Sequence, residues 1–185
     1  MRVFTDRESE EFLRKRGFDI METAFVKTEK ELEKIKMHFP VVLKISGKKI
    51  VHKTLVNGVR LGIKSLEQAK KAFRELIKIK DVEGILIQKQ IHGEEYLAGL
   101  KKTEDFGYVV AFGKGGSKVE KEKKVDFRVC NASGVDELSD NKKIQEVLNK
   151  LCKISESSGI KELDINPLVL EKGKAVIVDS QIVFE

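Results

Sequence analysis

The stretch 162–168, Glu-Leu-Asp-Ile-Asn-Pro-Leu, carries three oxygen-bearing side chains at alternate positions, and another carboxylate follows at Asp179. Alternate residues of a strand share a face. Glu162, Asp164 and Asn166 then lie on one side, and Leu163 and Ile165 on the other. The apolar side can pack while the polar side offers hard oxygen donors. Residues 174–179 read as a returning strand, and Gly173 in the connection suits a hairpin. Pro167, having no N–H, should stop or bulge the ladder. That geometry would bring Asn166 and Asp179 together. Two or three oxygens on adjacent strands suit Mg²⁺, which takes few protein ligands and completes its shell with phosphate and water. On spacing alone the plainer alternative is favoured, an edge hairpin with a solvated acidic face.

Three further positions could handle phosphate. Lys44 sits inside the apolar strand pattern 41–45. A lysine there is costly unless it meets an anion or its ammonium snorkels to water, and the two stand about even. The segment Gly113, Lys114, Gly115, Gly116, Ser117 is a glycine loop. Its backbone N–H groups can form an anion nest, with Lys114 adding charge, although such a run is more often only a turn. It is neither a P-loop nor a dinucleotide fingerprint. His52 lies beside Lys53 in a basic segment. It could act as nucleophile or proton shuttle, or be an ordinary surface residue. His38 and His92 have no supporting context. Nucleophile-elbow, zinc-protease and triad patterns are all missing. The chemistry that remains is phosphate handling by lysines, glycines and a hard cation.

Regular elements must position these groups. Thr5 or Asp6 can cap a helix to about 16, and Thr28 a second over 29–37 that ends before Pro40. A strand is expected over 20–26 and a stronger one over 41–45. This opening order of helix, strand, helix, strand predicts a small α/β lobe. A strand over 59–63 leads to a helix capped by Ser65 and running to about 79. Strands follow over 82–90, 95–100 and 108–112. Residues 118–124 alternate Lys and Glu and read as a solvated face. A strand over 125–129, a polar loop over 131–140 and an amphipathic helix over 141–157 precede the terminal hairpin.

Composition sets the bounds. The 185 residues can form one sizeable core or two small lobes. Charged residues make up 36% and Trp is absent, a pattern akin to heat-adapted proteins. The net charge of +6 permits an anionic ligand, while 6% aromatics argue against a base-stacking nucleic-acid surface. Cys130 and Cys152 form neither a zinc pattern nor a disulfide framework. They read as reduced thiols, hence a cytoplasmic location. No apolar run is long enough to cross a bilayer, and the N-terminus has no signal-peptide core.

The collinear order of several short motifs resembles the ATP-grasp subunit of ADP-forming acyl-CoA synthetases such as acetate–CoA ligase, relatives of the succinyl-CoA synthetase β subunit. The matching residues are 39–45 (FPVVLKI), 50–53 (IVHK) with Gly58, and 83–88 (EGILIQ). Gly93 with Glu95, Phe106 with Gly107, Phe112 with Gly113, Gly115 and Gly116, and Phe127 with Arg128 continue the series. Residues 162–168 with Asp179 close it.

This resemblance implies an α/β (α+β) ATP-grasp fold, with two α/β lobes and a nucleotide cleft between them. It gives one domain over 1–185, with subdomains near 1–40 plus 95–185, and 41–94. It implies ATP/ADP and Mg²⁺ as cofactors. Lys44 would meet the phosphates, Lys53 would be among the nucleotide-binding residues, Gln88, Lys89 and Gln90 would line the adenine strand, and Glu95 would sit near the nucleotide. Gly115 and Gly116 would face the transferring phosphate, and Asn166 and Asp179 would hold the metal. His52 would relay phosphate to the nucleotide, and Asp164 would orient an incoming phosphohistidine. The sequence shows no CoA-binding domain, so the resemblance implies a CoA-binding (α) partner subunit, in a hetero-oligomer, with a homodimer as the other option. Three departures stand out. Asn57 precedes Gly58 where the family has Gly-Gly, Lys89 replaces an acidic residue, and the segment between Val129 and Asn141 is shortened and lacks a Gly-Arg-Gly element. The rival expectation is a non-catalytic module that binds nucleotide or docks to a partner.

Overall fold

The computed structural model describes residues 1–47, 50, 53, 56–116, 125–130, 134–155 and 159–185. The chain divides into a larger unit, Met1–Ile20 with His92–Glu185, and a smaller one, Met21–Ile91.

In the larger unit, β1 (Arg2–Val3) leads into α1 (Asp6–Arg14). Thr5 caps α1 reciprocally: its hydroxyl accepts from the Glu8 N–H, and the Glu8 carboxylate accepts from the Thr5 N–H at 2.8 Å. β6 (Glu94–Thr103), β7 (Gly107–Lys114) and β8 (Val125–Val129) form an antiparallel meander. A 3-10 turn, Asp136–Leu138, precedes α4 (Lys142–Ser155). The chain ends with β9 (Ile160–Glu171), β10 (Lys174–Ile177) and β11 (Ser180–Phe184). The sheet order is β1-β11-β9-β6-β7-β8, with β10 pairing β9.

Burial follows the strand period. Ala98 and Leu100 of β6, Val110 and Phe112 of β7, and Leu163 and Ile165 of β9 meet Leu13 of α1 and Ile144, Leu148 and Leu151 of α4. The opposite face of these strands carries the alternate residues, and polar chemistry is available there.

In the smaller unit, β2 (Thr23–Val26), α2 (Glu29–Lys34), β3 (Val41–Ser46), β4 (Val59–Ile63), α3 (Leu66–Leu76) and β5 (Gly84–Lys89) form a four-stranded sheet, order β2-β5-β3-β4. Leu43, Ile45, Ile85 and Ile87 pack on Leu32, Ala69, Phe73 and Leu76 of its helices. Thr28 and Ser65 accept from the N–H groups of Glu31 and Gln68 as N-caps.

Two sequence expectations are corrected. Residues 21–40, assigned above to the larger lobe, belong to the smaller, because β2 pairs with β5 along its whole length. An edge strand of four residues does not reveal its partner in its own sequence. Cys130 and Cys152, read above as separate reduced thiols, form a disulfide with Cα atoms 5.0 Å apart. The end of β8 and the face of α4 meet across a topology that a spacing of 22 residues does not announce. The pairing also removes the ground on which a reducing compartment was inferred. No helix among the described residues is long and apolar enough to cross a membrane.

Candidate functional site

The terminal hairpin supplies the first half of the site. Lys172 and Gly173 join β9 to β10 with φ of 50° and 76°. Positive φ at both central residues is what a two-residue hairpin turn matching the strand twist demands. The ladder beyond pairs Lys174 with Glu171 through Ile177 with Leu168, and then resumes in β11 with Ser180 opposite Ile165. Asn166 and Asp179 therefore face one another where β10 passes into β11. The Asn166 N–H donates to the Asp179 carbonyl at 3.1 Å. On the other side of β9, Tyr96 pairs with Leu168 but Ala98 with Ile165. β9 thus has an extra residue at Asn166 and Pro167, the bulge that proline implies.

That bulge resets the alternation. Ile165 and Leu168 both point into the core, leaving Asn166 half-buried between them. Asp164 is exposed on the opposite face, with its Oδ1 3.3 Å from where a Gly99 β-carbon would stand. The Asp179 Oδ1 accepts from the Ser180 N–H at 3.0 Å. No group of three or more His, Cys, Asp or Glu converges among the described residues. A carboxylate and an amide on facing residues are the donor set of a cation that takes the rest of its shell from water and phosphate, so these residues fit Mg²⁺.

The glycine turn lies at the end of the β6–β7 ladder. The Gly115 N–H donates to the Glu95 carbonyl at 2.9 Å. A β-carbon on Gly115 would stand 2.4 Å from the Tyr96 carbonyl carbon, and one on Gly116, where φ is +91°, 2.2 Å from the Glu95 Oε2. Only glycine fits at either position. Glu95, Gly115 and Gly116 are thus brought together. Lys114 is engaged elsewhere: its Nζ is 3.5 Å from the Glu94 carboxylate and 4.9 Å from the centroid of the Tyr96 ring. The Tyr96 hydroxyl donates to Glu94 at 2.5 Å. That hydrogen bond, aided by burial, pushes the Tyr96 phenol up to about 12. The same hydroxyl, and then Lys114, hold the Glu94 carboxyl below its ordinary value.

In the smaller unit, Lys44 lies at the centre of β3, between Leu86 of β5 and Val59 of β4. It is 6% exposed, on the face away from the helices, together with Val42, Ser46, Leu86 and Gln88, all buried. A positive charge on this buried strand face is of the type that can meet an anion. The Gln88 amide donates to the Thr23 hydroxyl at 2.8 Å, tying the end of β5 to β2. Lys89 is exposed, and the Gln90 side-chain oxygen accepts from the Gly62 N–H at 2.6 Å. The Lys53 carbonyl accepts from the Gly58 N–H at 2.7 Å. Asn57 has φ of 52°. Asn is the non-glycine residue that best tolerates that region, so Asn57 can adopt the conformation that the expected glycine would. His52 lies outside the described residues.

Sequence reasoning missed Thr23, Glu94 and Tyr96. Each acts through a cross-strand or same-face partner, and pairing register is not written in local sequence. Only the alternation of Glu94 and Tyr96 along β6 carried a signal.

Comparisons with known proteins give the family and the fold. The family model described as ATP-grasp domain matches residues 1–150. The chain is 34% identical over 203 aligned positions to acetate–CoA ligase [ADP-forming] II of Archaeoglobus fulgidus, with 98% of the chain covered. It spans only 30% of that relative's own length. It is 29% identical to the β subunit of acetate–CoA ligase [ADP-forming] I of Pyrococcus furiosus, covering 98% of the chain and 92% of the relative. A solved dinucleotide forming acetyl-coenzyme A synthetase 1 of Ca. Korarchaeum cryptofilum, in complex with coenzyme A and Ca-AMPCP, superposes with a TM-score of 0.86 at 29% identity, covering 100% of this chain and 94% of that one. The same protein was also solved with Mg-AMPPCP and its phosphohistidine segment pointing towards the nucleotide binding site, at a TM-score of 0.79 and 27% identity, covering 99% of this chain and 93% of that one. With the family model matching most of its length, the chain belongs to the ATP-grasp family.

Proposed function

We propose that this chain is the nucleotide-binding subunit of an ADP-forming acyl-CoA synthetase, and that it passes phosphate between a phosphohistidine on a CoA-binding partner subunit and ADP/ATP. The observation that carries the proposal is the facing pair Asn166 and Asp179, fixed by a backbone hydrogen bond at 3.1 Å. Bound there, Mg²⁺ would neutralise charge on the phosphates. The larger unit contributes this pair, the turn at Gly115 and Gly116, and Asp164 to orient the histidine. Within the smaller unit, Lys44 is read as a phosphate contact, Lys53 as a nucleotide contact, and Gln88, Lys89 and Gln90 as neighbours of the base. Glu95 sits near the nucleotide. His52 would relay phosphate, a role that rests on family resemblance alone.

Phosphoryl transfer asks little covalent chemistry of a protein. It needs in-line placement and charge neutralisation, and these residue types supply both. Support also comes from the relatives, whose names are those of ADP-forming ligases. Two measurements test the proposal. Calorimetric titration with Mg-ADP should show binding, and a phosphorylated CoA-binding subunit should transfer its phosphate to ADP only when this chain is present. Binding without transfer would instead mark a nucleotide-binding module, and no binding at all would end the proposal.

A further inference from the structure

The side chains that fix the glycine turn are not those that would meet phosphate. Tyr96 and Lys114 are cross-strand partners, and Glu94 is two residues earlier on the same strand as Tyr96, so all three share one face. The Tyr96 ring lies against Phe112, centroids 5.2 Å apart and nearly parallel. Phe112 is a core residue of the larger unit. The Lys114 ammonium lies 4.9 Å from the centroid of the ring, and Glu94 bonds the hydroxyl. The Tyr96 backbone is what a Gly115 β-carbon would strike, and the next ladder bond joins Gly115 to Glu95. The Glu95 carboxylate, on the opposite face, lies against Gly116. The backbone at the turn thus rests on a residue anchored to the core through its ring and to the strand surface through its hydroxyl.

We propose that Glu94, Tyr96 and Lys114 form a positioning clasp that holds the backbone of Gly115 and Gly116 in the shape that receives a phosphate. The proposal rests on the reading above, that this turn faces the nucleotide phosphates. None of the three side chains touches the reacting groups in it. They act through the turn, and Lys114 serves as part of the clasp and not as a phosphate ligand.

The test uses the full chain with Tyr96→Phe, Glu94→Gln and Lys114→Met, and reads two quantities. The first is hydrogen exchange of the Gly115 amide without ligand. The second is Mg-ADP affinity by calorimetry. Tyr96→Phe keeps the ring stack and loses only the bond to Glu94. It should speed Gly115 exchange and weaken Mg-ADP binding, each by about fivefold to tenfold, the net scale of one solvent-screened side-chain hydrogen bond. The melting temperature should stay within about 2 °C. Glu94→Asp should restore part of the lost affinity relative to Glu94→Gln. Gly115 exchange within about twofold of wild type in all three variants overturns the clasp. Faster exchange with unchanged affinity overturns its role in phosphate binding. Wild-type protein that does not bind Mg-ADP defeats the functional reading, and the exchange measurement then judges the clasp by itself.

Discussion

The backbone N–H of Asn166 donates to the carbonyl of Asp179 at 3.1 Å, so the two residues are held opposite one another by main chain alone. Their side chains are thereby released from any structural duty in that bond. Replacing the Asn166 side chain should cost metal chemistry and little fold, while replacing Asp179 also removes the acceptor of the Ser180 N–H. We expect Asn166→Ala and Asp179→Ala each to weaken Mg-dependent ADP binding on the order of tenfold or more, with ADP affinity in EDTA nearly unchanged. Calorimetry with and without Mg²⁺ checks this. Equal losses in both conditions would remove these residues from the metal site.

Lys44 calls for a different substitution. Its aliphatic stem fills space within a buried strand face, so Lys44→Met keeps volume and removes charge. Nucleotide affinity should fall by about tenfold to 100-fold, the range of a charge-assisted bond. The melting temperature of the same variant reports separately what the ammonium contributes to the fold. Unchanged ADP affinity in this variant would show that the ammonium serves something other than phosphate.

Glycine is required at Gly115 by contact with backbone. A β-carbon would stand 2.4 Å from the Tyr96 carbonyl carbon. Gly115→Ala should therefore cost about 1–3 kcal/mol in denaturant unfolding. Gly107→Ala meets nothing within 4 Å, although its φ of +66° adds some strain, and should cost less. A reversed ranking would contradict the geometry.

The disulfide closes a segment spanning 22 residues between β8 and α4. A link of that length contributes about 3 kcal/mol. For a chain of this size, Cys152→Ser or added reductant should lower the melting temperature by about 6–12 °C. Reductant should have no further effect on the Cys152→Ser protein. Identical melting with and without reductant in the wild type would show the thiols unpaired in solution.

Tyr96 gives a pH signature. Its phenol is raised to about 12, first of all by its bond to Glu94. A raised acid stabilises the fold while protonated, so this contribution is complete below the ordinary tyrosine value. It is lost as pH climbs from there towards about 12. Tyr96 is half-buried but its partner Glu94 is exposed, so solvent screens the bond and the energy involved is small. Ultraviolet titration should show a late tyrosine transition near pH 12 that moves earlier in Glu94→Gln. A transition unmoved by that substitution would assign the shift to burial instead.

Much of this was readable from local pattern. The caps at Thr5, Thr28 and Ser65, the strand at 125–129 and the hairpin with its bulge at Pro167 all follow from residue types over a few positions. So does the meeting of Asn166 with Asp179, since a tight hairpin fixes its own neighbours, whereas the bond from Gly115 to Glu95 was not read from the sequence. What escaped depends on distant pairing. β11 was not anticipated because its residues follow Asp179 without a turn signal, and its partner β9 is already engaged with β6 on its other edge. The placement of 21–40, the Cys130 link to Cys152 and the bond from Gln88 to Thr23 share that cause. Helix ends also ran long in the sequence reading: α2 stops at Lys34, where Ile35 turns extended, and not at 37.

The pairing of β2 with β5 has a consequence for how the chain assembles. Thr23 lies opposite Gln88, so the polypeptide departs from the larger unit after Ile20 and returns at His92 from neighbouring strands of one small sheet. Once that sheet exists, everything within Met21–Ile91 acts as a brief tether, and the entropy of bringing α1 to the strands that follow His92 is that of closing a few free links. A long interruption in the sequence has thereby become a short one in space.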